Sequence, residues 1–257
     1  MSVTMVLKPA KRRNLGLILG PLILILLIPV PLQAKTADRL EVGKFSSADI
    51  NKGLPEGWKP LTFKKIKRHT DYRLVIDKGI VVMKAASRAA ASGLVRKIQI
   101  DPALYPVITW RWKVANTFKK GDVTQKKGDD YPARLYITFE YDPTRHSLLE
   151  KIVYKTARIL YGEYPPTGAV NYIWASKATI GTIVPNPFTD RSRMIVLQSG
   201  ETQLNKWIDE KRNIYKDYKK AFGGEPPMIS GVAIMTDSDN TGESATAFYG
   251  NIIFRKE

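Results

Sequence analysis

Two stretches of the sequence decide the fold: residues 107–114 read VITWRWKV, and residues 133–141 read ARLYITFEY. In both stretches apolar or aromatic residues alternate with polar ones. Successive side chains of a β-strand point to opposite faces of a sheet, so this period of two is typical of a strand with one buried face. The two stretches therefore predict half-buried β-strands rather than helices.

The alternation also predicts which side chains are buried. Trp110 and Trp112 share one face of the first stretch, and we expect both in the core, because each indole buries about 150–250 Å². The polar residues of the two stretches are expected to line one common surface. These residues are Arg111, Lys113, Arg134 and Tyr136.

Short β-branched and aromatic runs between Gly, Pro and Asp predict several further strands. Residues 72–76 and 80–84 are typical of a hairpin, because the Asp77-Lys78-Gly79 sequence between them supplies the positive φ of a tight turn. The other predicted strands are residues 93–100, 171–175, 194–198, 230–236 and 245–254.

Two stretches instead have the spacing of an amphipathic helix, residues 146–160 and residues 203–222. Thr202 is the predicted N-cap of the second helix, and Gly223 is its predicted end. Many strands with two inserted helices, and no regular strand–helix alternation, favour a mainly β fold. We expect an antiparallel β-sandwich or jelly roll.

The composition excludes several kinds of site. The 257 residues contain no cysteine and two histidines. Disulfides, thiolate zinc sites and cysteine-ligated iron–sulfur clusters are therefore excluded, and a multi-histidine metal centre is not expected. A metal ion in this protein would be a hard cation held by oxygen ligands.

Residues 1–34 are predicted to be a signal peptide or an N-terminal membrane anchor. Four basic residues precede the apolar run at residues 15–28, and the small residue Ala34 follows it. The run is shorter than the roughly 20 apolar residues of a bilayer span, which favours cleavage after Ala34. We expect a periplasmic or otherwise exported protein, anchored in the inner membrane if the segment is retained. Residues 35–257 are expected to form a single β-sandwich domain.

The net charge is +17, and residues 35–257 carry +13 of it. Basic runs at residues 59–68 and 119–127 belong to no nucleic-acid-binding motif. We therefore expect no nucleic-acid partner. The expected partner is a glycan or an anionic component of the cell envelope, with membrane contact only through the N-terminal segment if that segment is uncleaved.

A polar cluster lies near the C-terminus, where residues 236–244 read TDSDNTGES. Asp237, Asp239 and Thr241 alternate before a glycine, as in the first half of a calcium-binding loop. Phe248 stands where an EF-hand would supply its bidentate glutamate, and an acidic turn without an ion explains the cluster more simply. Ca²⁺ is therefore a candidate cofactor, with Asp237, Asp239 and Thr241 as its candidate ligands.

A second polar cluster lies at residues 128–134, which read GDDYPAR. Arg134 could pair with Asp122 or Asp130, or could hold an anionic ligand group in its planar fork. Glycosidase chemistry needs two carboxyl groups about 5 Å or about 6.5–9.5 Å apart, which a sequence cannot establish. The predicted ligand-binding residues are Asp129, Asp130, Arg134, Arg111, Tyr136 and Asn240.

The order of several motifs resembles the bacterial family of unknown function DUF3047. The resemblance spans about residues 43–255, and its most specific pieces are WRWK at residues 110–113, GDDYPAR at residues 128–134 and MTDSDNT at residues 235–241. It implies an exported jelly roll similar to galactose-binding or carbohydrate-binding sandwiches. The resemblance implies no established activity, and a shared fold does not fix function.

Three functions are compatible with these observations. The favoured hypothesis is an exported, non-catalytic β-sandwich that binds a glycan or another cell-envelope ligand. One alternative is a polysaccharide hydrolase or lyase that uses the loop carboxylates, and another is a structural cell-envelope or membrane-surface protein. The spatial arrangement of the two polar clusters bears most directly on this choice.

Overall fold

The computed structural model describes residues 37–145, 147–161 and 164–257. Ala37–Glu257 forms one compact unit. Among the described residues, none of the helices has the length and the apolar content needed to cross a bilayer. The leader predicted at residues 1–34 lies outside the described residues, so its cleavage and the export of the protein stay predictions.

The described residues contain 14 strands and two α-helices. The strands are β1 Arg39–Gly43, β2 Trp58–Leu61, β3 Asp71–Asp77, β4 Ile80–Arg88, β5 Ala91–Ile100, β6 Val107–Val114, β7 Ala133–Phe139, β8 Gly168–Ala175, β9 Ile183–Asn186, β10 Thr189–Ser199, β11 Ile208–Asn213, β12 Ile229–Asp237, β13 Ser244–Tyr249 and β14 Ile252–Arg255. The helices are α1 Leu148–Tyr161 and α2 Ile214–Phe222.

The strands form two sheets packed face to face. In the first sheet β6 pairs with β13, β14 and β11, while β4 and β3 extend the sheet from β13, and β1 extends it from β14. The second sheet has the order β2-β5-β12-β7-β8-β10-β9. The predicted class, a mainly β sandwich with two inserted helices, is confirmed. The expectation of antiparallel pairing is corrected at one pair, because β8 and β10 run parallel.

The core lies between the two sheets and is rich in tryptophan. Trp110 and Trp112 are buried as predicted, and Trp112 packs edge-on against Trp110 and against Trp174 of the second sheet, with ring centroids 5.5 and 6.2 Å apart. The inward residues of β7 are Leu135, Ile137 and Phe139. The members of this core fall within residues 42–254, so a protein of residues 35–257 contains them all and is expected to fold on its own.

The structure corrects the prediction that the polar residues of β6 and β7 line one surface. The apolar faces of these strands meet in the core, and their polar faces therefore lie on opposite sides of the sandwich. Arg111 and Lys113 contact the ring of Trp207 at 4.1 and 5.3 Å, which are cation–π distances. Arg134 and Tyr136 lie on the outer face of the second sheet.

The prediction of one helix over residues 203–222 is wrong in its first half. Residues 208–213 form β11, an edge strand paired with β6. Asn213 rather than Thr202 caps α2, and its side chain accepts a backbone hydrogen bond from the first turn at 2.9 Å. Gly223 ends α2 with a φ of 83°, as its position predicted. Helix α1 covers nearly the range predicted for the first helix.

The strand predicted at residues 245–254 is divided into β13 and β14. At the break, the Gly250 amide donates to the carbonyl of Arg111 at 2.8 Å. A Cβ atom on Gly250 would lie 2.4 Å from Cγ of Arg111, so only glycine fits this crossing without displacing the arginine.

Candidate functional site

Four aspartates and one arginine lie together at one end of β7 and β12, two central strands of the second sheet. Asp129 and Asp130 precede β7, Arg134 lies near its start, Asp237 ends β12 and Asp239 follows. Because β7 and β12 are antiparallel neighbours, the start of one lies beside the end of the other. The structure therefore brings together residues that are about 100 positions apart in the sequence. We call these five residues the carboxylate cluster.

Arg134 uses all three of its guanidinium nitrogens inside the protein. Its Nε donates to Oδ1 of Asp237 at 2.8 Å, and its Nη2 donates to Oδ2 of the same carboxylate. Its Nη2 also donates to the carbonyl of Asp129 at 2.6 Å. Its Nη1 donates to the hydroxyl of Tyr136 at 3.0 Å. The bidentate pair with Asp237 fixes the plane of the guanidinium, and the guanidinium in turn positions Tyr136.

Asp130 holds the loop that follows β12. Its Oδ2 accepts a hydrogen bond from the Thr241 backbone amide at 2.6 Å. Its Oδ1 accepts from the backbone and side-chain nitrogens of Asn240 at 3.3 and 3.1 Å. Through these three hydrogen bonds, Asp130 connects the loop before β7 to the loop after β12.

The carboxylate cluster holds more acids than bases, and this excess shifts pKa values. Burial raises the pKa of Asp237 to about 8 against the opposing effect of Arg134, and the charges of Asp130 and Asp129 add to the rise. Burial and the charge of Asp130 also raise the pKa of Asp239. Burial raises the pKa of Tyr136 to about 12, again opposed by Arg134.

The raised pKa of Asp237 predicts that stability falls as pH rises. In an unfolded chain the pKa of this carboxyl is about 3.9, whereas in the folded protein its pKa is about 8. Between these values the folded state binds a proton that the unfolded state has released, so the free energy of unfolding decreases with pH. Melting curves should show a lower Tm at about pH 8 than at about pH 5.

Asp237→Asn provides the test, because an amide cannot titrate. We expect a flatter dependence of Tm on pH in this variant, and an unchanged dependence in Glu56→Gln, which removes an exposed carboxylate. Equal pH profiles for the wild type and Asp237→Asn would contradict the shift.

The carboxylate cluster fits a calcium ion only in part. Asp130, Asp237 and Asp239 place carboxylate oxygens within 4.8 Å of one another, a spacing that one hard cation could bridge. Both oxygens of Asp237, however, already accept from Arg134, and those of Asp130 accept from amides. The Thr241 hydroxyl accepts from a backbone amide two residues further on, at 3.3 Å. Arg134 therefore supplies positive charge where a cation would, and calcium binding stays a prediction.

A polar cleft of about 760 Å³ opens beside the carboxylate cluster. Its walls come from residues 120–128 and 176–182, and Asn240 and Thr241 lie at one side. The ammonium group of Lys120 donates to the carbonyl of Thr241 at 3.2 Å, so this lysine holds the cleft wall in place.

A second cavity of about 620 Å³ lies on the outer face of the second sheet. Its floor includes Gly231 and Ala233 of β12, which carry no side chain and a methyl group and so leave space above the sheet. The aromatic walls are Phe63, Tyr136, Tyr141 and Tyr164, and the polar groups come from Lys97, Thr138, Glu140 and Ser230. We call this cavity the tyrosine groove. The sequence predicted one of its walls, Tyr136, and the small residues at alternate positions of β12 were the available signal for its floor.

Asn171 is a buried amide beside the tyrosine groove. It is the partner of Tyr136 in the register of β7 and β8, so their Cβ atoms lie about 4.5–5.5 Å apart. Asn171 is buried, and within the described parts of the chain neither its Nδ2 nor its Oδ1 has a hydrogen-bond partner. Such a group costs about 1–3 kcal/mol unless a water molecule or a ligand satisfies it.

The residues predicted to bind a ligand divide into three groups. Asp129, Asp130 and Arg134 are exposed by only 4, 1 and 2%, so a large surface ligand has no access to them. Tyr136 lines the tyrosine groove, and Asn240 lines the polar cleft. Arg111 lies on the first sheet, away from the others.

The family model described as a protein of unknown function, DUF3047, matches residues 56–253. The chain belongs to the DUF3047 family. The matched range of this DUF3047 chain includes the carboxylate cluster, the polar cleft and the tyrosine groove. No curated protein matches the sequence significantly.

Solved structures similar to this DUF3047 protein include two carbohydrate-binding modules and one adhesin domain. The family 29 module CBM29-2 is 9% identical with a TM-score of 0.34, over 85% of this chain and 91% of that chain. The K3 adhesin domain of Lys-gingipain from Porphyromonas gingivalis is 10% identical with a TM-score of 0.37, over 85% and 100%. The CBM28 module, specific for non-crystalline cellulose, is 10% identical with a TM-score of 0.33, over 80% and 88%. Likenesses this distant do not indicate a function.

Proposed function

We propose that this protein is an exported, non-catalytic glycan-binding protein whose ligand lies in the tyrosine groove. The observation that carries the proposal is the combination of aromatic walls with a floor of small residues. Flat aromatic side chains can pack against the apolar faces of sugar rings, and tyrosine adds a hydroxyl that can hydrogen-bond. The floor at Gly231 and Ala233 leaves room for a ring to approach the sheet.

The polar groups of the groove support a glycan rather than a wholly apolar ligand. Lys97, Glu140 and Ser230 lie at the groove and can meet sugar hydroxyls, and the buried amide of Asn171 is adjacent. The volume of about 620 Å³ is within the range of about 300–1,000 Å³ that is typical of ligand pockets. The charge of +13 on residues 35–257 favours an acidic envelope glycan, because it attracts anionic polymers at long range.

In this proposal the carboxylate cluster supports the ligand site without touching the ligand. Arg134 donates to the hydroxyl of Tyr136, and Asp237 fixes Arg134. A binding group whose orientation is fixed in advance loses less entropy when the ligand binds. The cluster therefore acts by preorganising one aromatic wall of the groove.

The geometry of the carboxylate cluster favours binding over hydrolase or lyase chemistry. A glycosidase carboxylate must reach the scissile bond, but Asp130 is buried and both its oxygens accept amide hydrogen bonds. A lyase needs a base that is deprotonated near neutral pH, whereas the pKa of Tyr136 is raised to about 12. All three guanidinium nitrogens of Arg134 already donate hydrogen bonds inside the protein.

Calorimetric titration of residues 35–257 with a panel of purified acidic envelope polysaccharides tests the proposal. We expect Tyr136→Ala and Tyr164→Ala each to weaken binding at least about tenfold, which corresponds to about 1.4 kcal/mol. Tyr136→Phe should lose less, because it keeps the ring. Phe188→Ala is the matched control, since Phe188 is an exposed aromatic residue that does not line the groove.

Absence of binding to every polysaccharide in the panel would contradict glycan binding. Binding that survives both tyrosine substitutions would remove the ligand from the tyrosine groove. If Asn240→Ala then abolished binding, the polar cleft would be the site instead.

A further inference from the structure

Helix α1 presents an apolar stripe to solvent. Leu148, Leu149, Ile152 and Val153 are exposed by 79, 77, 61 and 57%. With 3.6 residues per turn, these four positions fall within an arc of about 140° on one side of the helix. Single exposed apolar residues are ordinary in soluble domains, but a contiguous apolar patch marks an interaction surface. We call these four residues the apolar stripe.

The opposite side of α1 attaches the helix to the domain. Tyr154 is buried on that side, and its ring stacks on Tyr141 with centroids 3.9 Å apart. The guanidinium of Arg191 lies 4.9 Å from the same ring. Near the end of the helix, Arg158 lies 4.9 Å from the ring of Tyr164. These contacts hold the apolar stripe away from the domain.

Basic residues border the apolar stripe. At 100° per residue, Lys151 and Lys155 lie next to Leu148 at one margin of the stripe, and Arg158 lies just beyond them. Glu150 is the only acid in the α1 sequence. Long basic side chains can bury their alkyl stems beside apolar groups while the charges reach the lipid headgroups. An apolar face with a basic margin is typical of a helix that lies in a membrane interface.

We propose that α1 docks the protein on an anionic lipid bilayer. The apolar stripe enters the headgroup region, while Lys151 and Lys155 contact lipid phosphates. A bilayer fits this surface because the stripe is the convex side of a single helix, and because the charges at its margin and on the domain are opposite in sign to those of anionic lipid. Docking also brings the tyrosine groove close to the membrane, since Tyr141 and Tyr164 both line the groove and contact α1.

Vesicle sedimentation with residues 35–257 tests the proposal without the N-terminal apolar segment. We expect the protein to pellet with phosphatidylcholine vesicles that contain phosphatidylglycerol, and to stay in solution with phosphatidylcholine alone. Raising the salt from about 0.1 M to about 1 M should release most of it, because the Debye length falls from about 10 Å to about 3 Å.

Two double variants separate the contributions of apolar contact and of charge. Leu149→Ser with Ile152→Ser should lower the partition coefficient at least about tenfold, and Lys151→Glu with Lys155→Glu should lower it similarly for anionic vesicles. The matched control is Ile76→Ser with Ile80→Ser, two exposed apolar residues of the first sheet, and it should bind like the wild type. The substituted side chains are exposed except for the partly buried Lys151, so Tm should change little in all three variants.

Failure of residues 35–257 to pellet with anionic vesicles would overturn the proposal. Wild-type binding by the Leu149→Ser, Ile152→Ser variant would also overturn it, because binding would then depend on general charge and not on α1. A dimer in sedimentation velocity that this variant dissociates, without vesicle binding, would assign the apolar stripe to a contact between two copies.

Discussion

Arg134→Met is expected to lower the free energy of unfolding by about 3–5 kcal/mol, because it leaves the buried Asp237 carboxyl and two further acceptors without their hydrogen-bond donor. Asp237 is buried in the folded protein and would lose both hydrogen bonds that it accepts from Arg134. The hydroxyl of Tyr136 and the carbonyl of Asp129 would each lose a donor as well. Urea denaturation of residues 35–257 measures the loss.

A second substitution shows whether the loss comes from the Asp237 carboxyl left without its partner. Arg134→Met combined with Asp237→Leu should recover a large part of the stability, since replacing both partners of a buried polar interaction with apolar residues is often close to neutral. Arg73→Met is the matched surface control. Arg73 pairs with Asp71 where both side chains are more than half exposed, and such pairs contribute about 0–1 kcal/mol.

Two outcomes would contradict this role of Arg134. One is a loss in Arg134→Met no larger than the loss in Arg73→Met. The other is a double variant as unstable as the single variant, which would show that the arginine acts through packing rather than through its hydrogen bonds to Asp237.

The sequence predicted the strands β6 and β7 and their buried faces, because alternation directly reports that one face of a strand is buried. It did not indicate which sheet each strand joins, since that depends on pairing between distant segments. For this reason the predicted common surface was wrong: Arg111 and Arg134 lie on opposite sides of the sandwich. β11 was missed for a related reason. Leu204, Trp207 and Ile208 happen to have helical spacing, and pairing with the exposed edge of β6 overrides that local preference.

The carboxylate cluster was more predictable than the tyrosine groove. Asp130 lies just before β7 and Asp237 lies at the end of β12, and the ends of neighbouring antiparallel strands readily converge. The walls of the groove come from separate segments, and aromatic residues such as Phe63 and Tyr164 resemble core residues when the sequence is considered alone. The burial of the charged residues was also hard to predict. The sequence favoured the charged residues of the carboxylate cluster as ligand contacts, but the surrounding loops cover them.

Gly128→Ala should disrupt the loop that delivers Asp129 and Asp130 to the carboxylate cluster. A Cβ atom on Gly128 would lie 2.6 Å from the backbone nitrogen of Asp122 and 2.9 Å from the carbonyl of Lys120. Both contacts are with backbone, so no side-chain rotation can relieve them. The Asp122 amide donates to the Gly128 carbonyl at 2.9 Å, and the loop must open at this bond. We expect a loss of about 1–3 kcal/mol in stability, as for other overpacked sites.

Hydrogen exchange distinguishes this local opening from a general loss of stability. The backbone amides of Asn240 and Thr241 donate to Asp130. In Gly128→Ala these two amides should exchange faster than in the wild type, by a larger factor than the amides in the centre of β12. Gly224→Ala is the matched control, because a Cβ there meets no atom within 4 Å, and its stability should stay within about 0.5 kcal/mol of the wild type. Unchanged exchange at Asn240 and Thr241 in Gly128→Ala would mean that Asp130 keeps its hydrogen bonds to these two residues when the loop is strained. The hydrogen bonds between the two polar loops would then not depend on the close packing at Gly128.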